Sequence, residues 1–303
     1  MIRDILLEKN LQPLRRFLDD KNIKEIIVTK PYCIALETLS GEWLYEESED
    51  LSLIYFYGLG RILAVKDGKR FDESNPVLSA LIDDKHRVNI VYGKQTNNDI
   101  SLAIRLKRNQ EPSLDQFEIS PHHKKILIKL VQEKKNIIIS GGTGTGKTTL
   151  LNALVKYMQK EERIITIENV QEIEIDPSFH KHHDALIYLQ DDETQISNLL
   201  NASLRMRPDR IIIGELRKEN SYVFLRAVNT GHEGSIATIH ASSHKGAIDA
   251  LIHNIKTSSK QSHETALLKK EIIQAVDAVI QLRREYRDGR MYSIGDVKMV
   301  KKL

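Results

Sequence analysis

The sequence predicts an α/β protein, in which a mostly parallel sheet with flanking helices follows a smaller α+β domain. From Asn136 onward, short β-branched runs alternate with helical patterns, which is typical of a parallel sheet covered by helices. A glycine-rich segment joins the first of these runs to a helical pattern. The region before residue 108 instead mixes short strands and helices with turns.

Length and composition exclude several classes of protein. The 303 residues are long for one core and suit two domains. The 45 basic residues are nearly balanced by 42 acidic ones, and a net charge of +3 does not by itself indicate nucleic-acid binding. A single cysteine, Cys33, excludes an intramolecular disulfide framework and fits a reducing cytoplasm. No stretch approaches the roughly 20 apolar residues that span a bilayer, so any membrane contact is expected to be peripheral.

Residues 1–108 are expected to form the α+β domain. Apolar stripes at helical spacing predict helices over residues 1–18 and 52–65. Short alternating runs predict strands at residues 23–28, 33–37, 43–45, 87–91 and 100–106. Residues 109–120 carry charges and little periodicity, and we interpret them as a linker.

Residues 121–303 are expected to form the larger domain, with a helical C-terminal portion. Ser120 is a good N-cap and Pro121 suits the first helical position, so a helix is predicted to begin there. Strands are predicted at residues 137–139, 163–167, 185–189, 210–213 and 234–238. Residues 244–284 are expected to be largely helical.

Residues 141–148 read GGTGTGKT and match the phosphate-loop pattern G-x-x-x-x-G-K-[ST], with an apolar run before and a helical pattern after. Glycines let successive backbone N–H groups turn inward around a polyphosphate, and the next helix adds its positive end. Lys147 is expected to reach the β- and γ-phosphates, and the Thr148 hydroxyl to ligate Mg²⁺. The predicted nucleotide-binding residues here are Gly141, Gly142, Thr143, Gly144, Thr145, Gly146, Lys147, Thr148 and Thr149.

Two acidic strand ends are expected to complete the site, because ligands of open α/β sheets bind at the carboxyl ends of the strands. One apolar run ends in Glu168, with Glu172 close behind. Another ends in Gly214 and Glu215 and resembles a Walker B strand, with Gly214 in place of the usual Mg²⁺-binding Asp. Glu215 is therefore expected to act on the metal through water, to polarise the attacking water, or both. The alternatives are a solvated acidic loop and a strand that merely ends in an acid.

The third candidate part of the site is a pair of histidines around a glycine-rich turn. His232 and His240 flank a predicted strand, and such a pair indicates a sensor of the γ-phosphate. A structural role is the alternative for a lone histidine. Zinc binding is a second alternative, weakened by the single cysteine and the lack of an H-E-x-x-H motif.

Basic residues cluster before the phosphate loop and before the second acidic strand end. These are Lys134, Lys135, Arg205, Arg207 and Arg210. They are candidates for nucleic-acid contacts, for solvated faces, or for arginines that neutralise phosphate charge in a neighbouring subunit.

Together these motifs resemble the secretion ATPase family, the hexameric traffic ATPases of type IV and type II secretion systems, type IV pili and competence machines. The resemblance rests on the phosphate loop, an Asp box at residues 164–173, a Walker B-like segment at 204–217 and a His box at 229–241. The short chain, the compact N-terminal domain and the lack of a four-cysteine zinc module resemble the type IV secretion, or conjugation-type, branch.

The resemblance implies a RecA-like P-loop NTPase domain and an enzyme that hydrolyses ATP to ADP and phosphate with Mg²⁺. It implies a homohexamer in the cytoplasm, peripheral to the inner membrane, that couples hydrolysis to conformational work in type IV secretion, conjugation or DNA uptake. The implied partners are further copies of the chain and the inner-membrane and coupling proteins of the apparatus. Direct nucleic-acid binding is not expected.

The resemblance implies the following roles in this sequence. Lys147 and Thr148 hold phosphate and Mg²⁺, Glu168 and Glu215 are the catalytic carboxylates, and Glu215 also acts at the metal. His232 and His240 sense the γ-phosphate, and Arg87 and Arg105 reach the nucleotide from the N-terminal domain. The sequence departs from the family at Asn169, where the Asp box usually has Asp. It departs again at Thr29 and Tyr32, which replace the Asn and Gly of a short turn near the adenine.

Two other functions are alternatives. A nucleotide-dependent assembly scaffold would need binding without turnover, whereas the carboxylates and histidines favour turnover. A RecA-like DNA translocase would need a basic channel bearing aromatic side chains, and only 6% of the residues are aromatic.

Overall fold

The computed structural model describes residues 2–83, 86–107, 112–188, 193–229, 231–258, 264–287 and 290–300. The chain divides into two compact units, Met1–Gln110 with Asp288–Met291, and Glu111–Arg287 with Tyr292–Leu303. The domain boundary expected at residue 108 lies outside the described residues. Within the ranges above, every helix is too short or too polar to cross a membrane.

The first unit is a six-stranded antiparallel sheet with two helices, and both helices and five of the six strands were predicted from the sequence. Its elements are α1 (Ile2–Asp19), β1 (Ile23–Lys30), β2 (Cys33–Thr38), β3 (Trp43–Glu47), α2 (Leu53–Lys66), β4 (Val77–Leu81), β5 (Arg87–Tyr92) and β6 (Ile100–Arg105). The strand order is β3-β2-β1-β6-β5-β4. Strand β4 was not predicted, because it has five residues and Val77 is its one β-branched side chain.

The second unit contains a seven-stranded sheet with helices on both faces. Its elements are a 3-10 helix (Leu114–Gln116), α3 (Pro121–Gln132), β7 (Ile137–Gly141), α4 (Lys147–Val155), β8 (Ile164–Glu168), β9 (His183–Ile187), α5 (Glu193–Ser203), β10 (Arg210–Ile213), α6 (Lys218–Asn229), β11 (Ile236–Ile239), α7 (His244–Ser258), α8 (Thr265–Ala275), β12 (Ala278–Arg287) and β13 (Arg290–Met299). The order is β13-β12-β7-β11-β10-β8-β9, and the six strands from β12 to β9 are mutually parallel. The five predicted strands are confirmed to within two residues, although residue 189 lies outside the described residues.

The C-terminal portion is less helical than expected. Helix α8 ends at Ala275, and residues 278–287 form β12, which pairs in parallel with β7. Val279 and Ile280 are fully buried, as in a strand covered on both faces. The helical prediction for this segment was wrong because a short apolar run fits a buried helix and a buried strand equally well. Pairing with β7, about 140 residues earlier, decides between them.

Alternate residues of the strands face two apolar clusters, which explains the continuous apolar runs. Ile138, Ile165 and Ile211 join one cluster, and Ile137 and Ile139 join the other. Because β7, β8, β10 and β11 run parallel, they all end at one edge of the sheet, at Gly141, Glu168, Ile213 and Ile239. We call this the carboxyl edge, and the opposite edge, where the same strands begin, the amino edge.

Candidate active site

The phosphate loop lies at the carboxyl edge, between the end of β7 and the start of α4. Gly144 and Gly146 have φ angles of 70° and 87°, in the left-handed region that favours glycine. A Cβ at Gly141 would collide with the Thr145 hydroxyl, and one at Gly144 would lie 3.0 Å from Arg284 Nη1. The glycines thus permit both the turn and the close approach of its neighbours. Helix α4, nine residues long, directs its first N–H groups toward this loop.

Lys147 is buried and folded over the loop. Its Nζ donates hydrogen bonds to Gly141 O and Gly142 O, both at 2.9 Å. The same Nζ lies 3.4 Å from His240 Nδ1, which follows the end of β11. A fixed cation therefore stands between the loop and the neighbouring strand end.

Thr148, expected to ligate Mg²⁺, has a carboxylate as its neighbour. Its hydroxyl donates to Glu172 Oε2 at 3.1 Å. Asn152 of α4 holds the same segment, because its Nδ2 donates to Glu172 O at 2.9 Å and its Oδ1 accepts from Glu174 N at 3.0 Å. The first turns of α4 thus carry both the hydroxyl and the support for the acid beside it. Hydroxyl and carboxylate oxygens are the ligands that Mg²⁺ prefers.

Glu168 is buried at the end of β8, where it organises the segment that follows. Its Oε1 accepts hydrogen bonds from the backbone N–H groups of Glu172 (3.0 Å) and Ile173 (2.8 Å). A Cβ at Gly214 would lie 3.2 Å from Glu168 Cγ, so Glu168 fills the space beside the residue where a Walker B strand usually has Asp. From the sequence, Glu168 is expected to be catalytic, whereas Glu172 has no predicted role of its own. The acidic segment was visible, but the contact of Glu172 with Thr148 depends on the path of the loop.

Glu215 follows β10 and is held between two basic side chains. Its Oε1 lies 2.8 Å from His240 Nε2, and its Oε2 accepts from Arg217 Nε (2.9 Å) and Nη2 (2.6 Å). Because His240 also contacts Lys147, polar contacts run without a break from the phosphate loop to the end of β10. Arg217 has no part in the sequence-based site.

Partial desolvation is the first cause that lowers the pKa of His240 below its ordinary value of 6.5, although about half of the side chain remains exposed. The charge of Lys147 also lowers this pKa, while Glu215 raises it and Arg217 lowers it. The imidazole is therefore neutral at pH 7, with one nitrogen donating and the other accepting. Donation from Nε2 to Glu215 leaves Nδ1 to accept from the Lys147 ammonium, which matches both contacts.

His232 lies away from these residues. Its Nδ1 is 3.2 Å from Ala227 O, and its own carbonyl accepts a hydrogen bond from Ser235 Oγ at 3.0 Å. His232 precedes β11 and His240 follows it, so within this chain the two histidines lie at opposite edges of the sheet. γ-Phosphate sensing by His232 stays a prediction. Among the described residues, no group of three His, Cys, Asp or Glu side chains is placed to hold a metal.

The first unit carries the remaining predicted residues. Arg87 and Arg105 stand directly opposite each other on the neighbouring strands β5 and β6. Arg105 is exposed and Arg87 is half-buried. Tyr32, in the turn between β1 and β2, has a φ angle of 66°, so this position keeps a left-handed conformation that favours the glycine it replaces. Nucleotide contacts by the two arginines stay predictions.

Arg210 corrects the interpretation of the basic cluster. Its buried guanidinium bonds Glu162 (Nε to Oε2 2.5 Å, Nη2 to Oε1 3.1 Å) and the carbonyl of Val131 (2.7 Å). Lys134 Nζ lies 3.1 Å from Glu162 Oε1. Burial would raise the pKa of Glu162, but Arg210 and Lys134 outweigh it and hold this pKa below its ordinary value. Arg210 is thus part of a buried structural pair at the amino edge, whereas Arg205 and Arg207 are exposed.

In sequence and in fold, the chain is similar to known secretion proteins. A family model described as Type II/IV secretion system protein matches residues 87–290. The type IV secretion system protein VirB11 of Bartonella henselae is 32% identical, over 92% of this chain and 89% of the relative. The crystal structure of the VirB11 ATPase from the Brucella suis type IV secretion system, in complex with sulphate, is 26% identical and superimposes with a TM-score of 0.53, covering 99% of this chain and 96% of that one. The pilus retraction motor PilT with bound ADP shares the fold at 19% identity, with a TM-score of 0.61 over 94% of this chain and 82% of that one.

Proposed function

This chain belongs to the Type II/IV secretion system protein family, and from that premise we propose that it is an Mg²⁺-dependent ATPase that drives a type IV secretion apparatus. One observation carries the proposal. The contacts from Lys147 through His240 to Glu215 run along the same edge of the sheet as the pair of Thr148 and Glu172. A cation, a neutral imidazole and two carboxylates therefore surround one phosphate loop.

Nucleotide binding is assigned to residues 141–149. Inward backbone N–H groups and the start of α4 favour a polyphosphate, and Lys147 supplies the charge for its terminal groups. Thr148 and Glu172 would hold Mg²⁺, which when bound supplies Lewis-acid stabilisation of the phosphate oxygens. Glu168 supports this arrangement through the backbone of residues 172 and 173. The sulphate in the Brucella suis relative's structure supports an affinity for anions in this family.

Hydrolysis is assigned to Glu215 with His240. Glu215 orients the attacking water and accepts its proton, while the water oxygen forms the new bond to the γ-phosphorus and ADP leaves. His240 links the γ-phosphate site to Glu215, because one of its ring nitrogens contacts Lys147 and the other contacts Glu215. Arg87, Arg105 and His232 remain candidates for further contacts with the nucleotide.

At the level of the apparatus, we infer a homohexamer at the cytoplasmic face of the inner membrane. The names of the relatives support this placement in a type IV secretion system. ATP would favour a closed state and hydrolysis would release it, and the motion would pass to inner-membrane and coupling proteins. The free energy available for that motion is the difference in nucleotide affinity between the states.

Steady-state phosphate release tests the proposal. We expect Mg²⁺-dependent release by the wild type and a loss of about 100-fold or more in Glu215→Gln, which keeps the shape of the side chain but cannot accept a proton. Glu233→Gln, an exposed acid at the amino edge, is the matched control and should keep the wild-type rate. ATP binding without release by the wild type would instead favour the assembly scaffold.

A further inference from the structure

We propose that Asn220 is a positioning residue for Glu215: its buried carboxamide fixes the backbone turn that directs the Glu215 carboxylate toward His240. This inference rests on the proposed function, and it adds to it a residue that does not touch nucleotide. Asn220 has 0% of its surface exposed. It lies in the first turn of α6, immediately after the turn that carries Glu215.

The Asn220 side chain joins both ends of that turn. Its Nδ2 donates to Glu215 O at 2.8 Å, and its Oδ1 accepts from Arg217 N, also at 2.8 Å. The second bond satisfies one of the N–H groups that the start of a helix leaves unpaired. A single side chain therefore fixes the backbone of the acid and of the arginine that binds it.

Other hydrogen bonds complete the anchoring. Leu216 N donates to Thr238 O of β11 at 2.7 Å, and Ser221 Oγ donates to Arg217 O at 2.6 Å. A cavity of about 470 Å³ borders the turn on the side of α7, and Glu215 and Arg217 are among its lining residues. Leu216, in the middle of the turn, is buried in an apolar cluster, so packing and these hydrogen bonds together hold the turn beside the open space.

Asparagine suits this position because the turn needs a donor and an acceptor from one short side chain. Aspartate keeps the acceptor for Arg217 N, but it places a second oxygen against Glu215 O. Alanine supplies neither group and leaves two partly buried backbone groups, Glu215 O and Arg217 N, without this partner. Either change should allow the turn to shift, and a displacement of about 1 Å in a catalytic group can cost about 100-fold in rate.

The experiment compares Asn220→Asp with a matched change at Asn136. Asn136 is also buried, and it too donates to a carbonyl (Ala275 O, 2.8 Å) and accepts from a backbone N–H (Ser235, 3.1 Å), but at the amino edge. We expect Asn220→Asp to lower kcat by about 10- to 100-fold with an unchanged Kd for ATP, because the turn that carries Glu215 loses one hydrogen bond. Asn136→Asp should lower the melting temperature to a similar degree and keep the wild-type kcat per folded molecule.

A double-mutant cycle shows whether Asn220 acts through Glu215. Single-turnover hydrolysis is followed in Glu215→Gln and in Glu215→Gln/Asn220→Asp, and we expect the same residual rate from both. If Asn220→Asp does not fold, Asn220→Ala, which adds no charge, takes its place. If Asn220→Asp lowered the single-turnover rate of Glu215→Gln by the same factor as it lowers the wild-type rate, the inference would be overturned. A loss of kcat in Asn136→Asp equal to that in Asn220→Asp would also overturn it. Absence of turnover in the wild type would instead overturn the proposed function.

Discussion

The carboxyl and amino edges of the parallel sheet each hold an acid between two basic side chains. At the amino edge, Glu162 lies between Arg210 and Lys134, with the acid and the arginine 3% and 0% exposed. At the carboxyl edge, Glu215 lies between Arg217 and His240, and the three side chains are 24%, 45% and 49% exposed. Each acid has a charged arginine beside it, but Lys134 is a second cation whereas His240 is neutral at pH 7, and the amino-edge acid and arginine are far less exposed to solvent.

The difference in solvent exposure distinguishes a structural ion pair from one whose partners are able to exchange. A buried ion pair must keep both partners, because removing one leaves a charge without water or counter-charge. A partly exposed pair contributes little to stability, so its bonds exchange for those of a ligand at low cost. Glu215 can therefore change partners during a reaction, while Glu162 cannot.

The largest effect is expected from one lysine at each edge. Lys147→Ala should lower the rate of hydrolysis by about 10³-fold or more, because the phosphates lose their fixed cation. Lys134→Ala removes a lysine that contacts Glu162 and should leave turnover per folded molecule unchanged. Phosphate release by both purified variants, corrected for the folded fraction, measures this. Near-normal turnover in Lys147→Ala would refute the assignment of the site.

The next effect concerns stability at the amino edge. Arg210→Met should lower the free energy of unfolding by about 3–5 kcal/mol, since it leaves Glu162 buried with Lys134 as its remaining basic partner. Urea unfolding followed by circular dichroism measures the loss. Arg217→Met, in the exposed pair, is the control, with an expected change below about 1 kcal/mol. Equal losses at both edges would contradict the distinction drawn above.

Substitutions of the two histidines, one at each edge of the sheet, test the same distinction and are expected to have smaller effects. His240→Ala should slow turnover about 10-fold, the value of one hydrogen bond to a charged group, with nucleotide binding retained. His232→Ala, which removes a contact with Ala227 O, should change turnover less. Steady-state rates at saturating ATP decide this. A larger loss in His232→Ala would place that residue at the nucleotide of a neighbouring copy.

The smallest effect is the pH dependence of stability. Burial lowers the pKa of His180, near Glu162, below its ordinary value of 6.5. The unfolded chain therefore takes up the proton first, so the contribution of His180 is fully present above about pH 6.5 and is lost as the pH falls toward the lowered pKa. Urea unfolding between pH 7.5 and 5.5 should show a smaller decline in His180→Gln than in the wild type. An unchanged slope would show that other groups account for the decline.

Local signals in the sequence were enough to predict most of the helices and strands. Residues 137–148 contain a β-branched run, glycines at the turn and a lysine at the helix start, and each acts on its immediate neighbours. Ser120 and Pro121 predicted the start of α3 for the same reason, and Ser120 Oγ accepts from His123 N at 3.1 Å. Residues 278–284 were wrongly included in the helical region because their state depends on pairing with β7, a contact distant in sequence.

The sequence by itself determined the phosphate loop, the order of strands and helices around it, and the acids at two strand ends, since these follow from backbone conformation and periodicity over a few residues. The tertiary structure decided which charged side chains share an edge, and which of them lose their contact with water. Only there does Arg210 become a buried partner of Glu162, Glu172 the neighbour of Thr148, and Asn220 the support of Glu215. The reason is physical: burial and distance belong to the assembled sheet, and no short segment contains them.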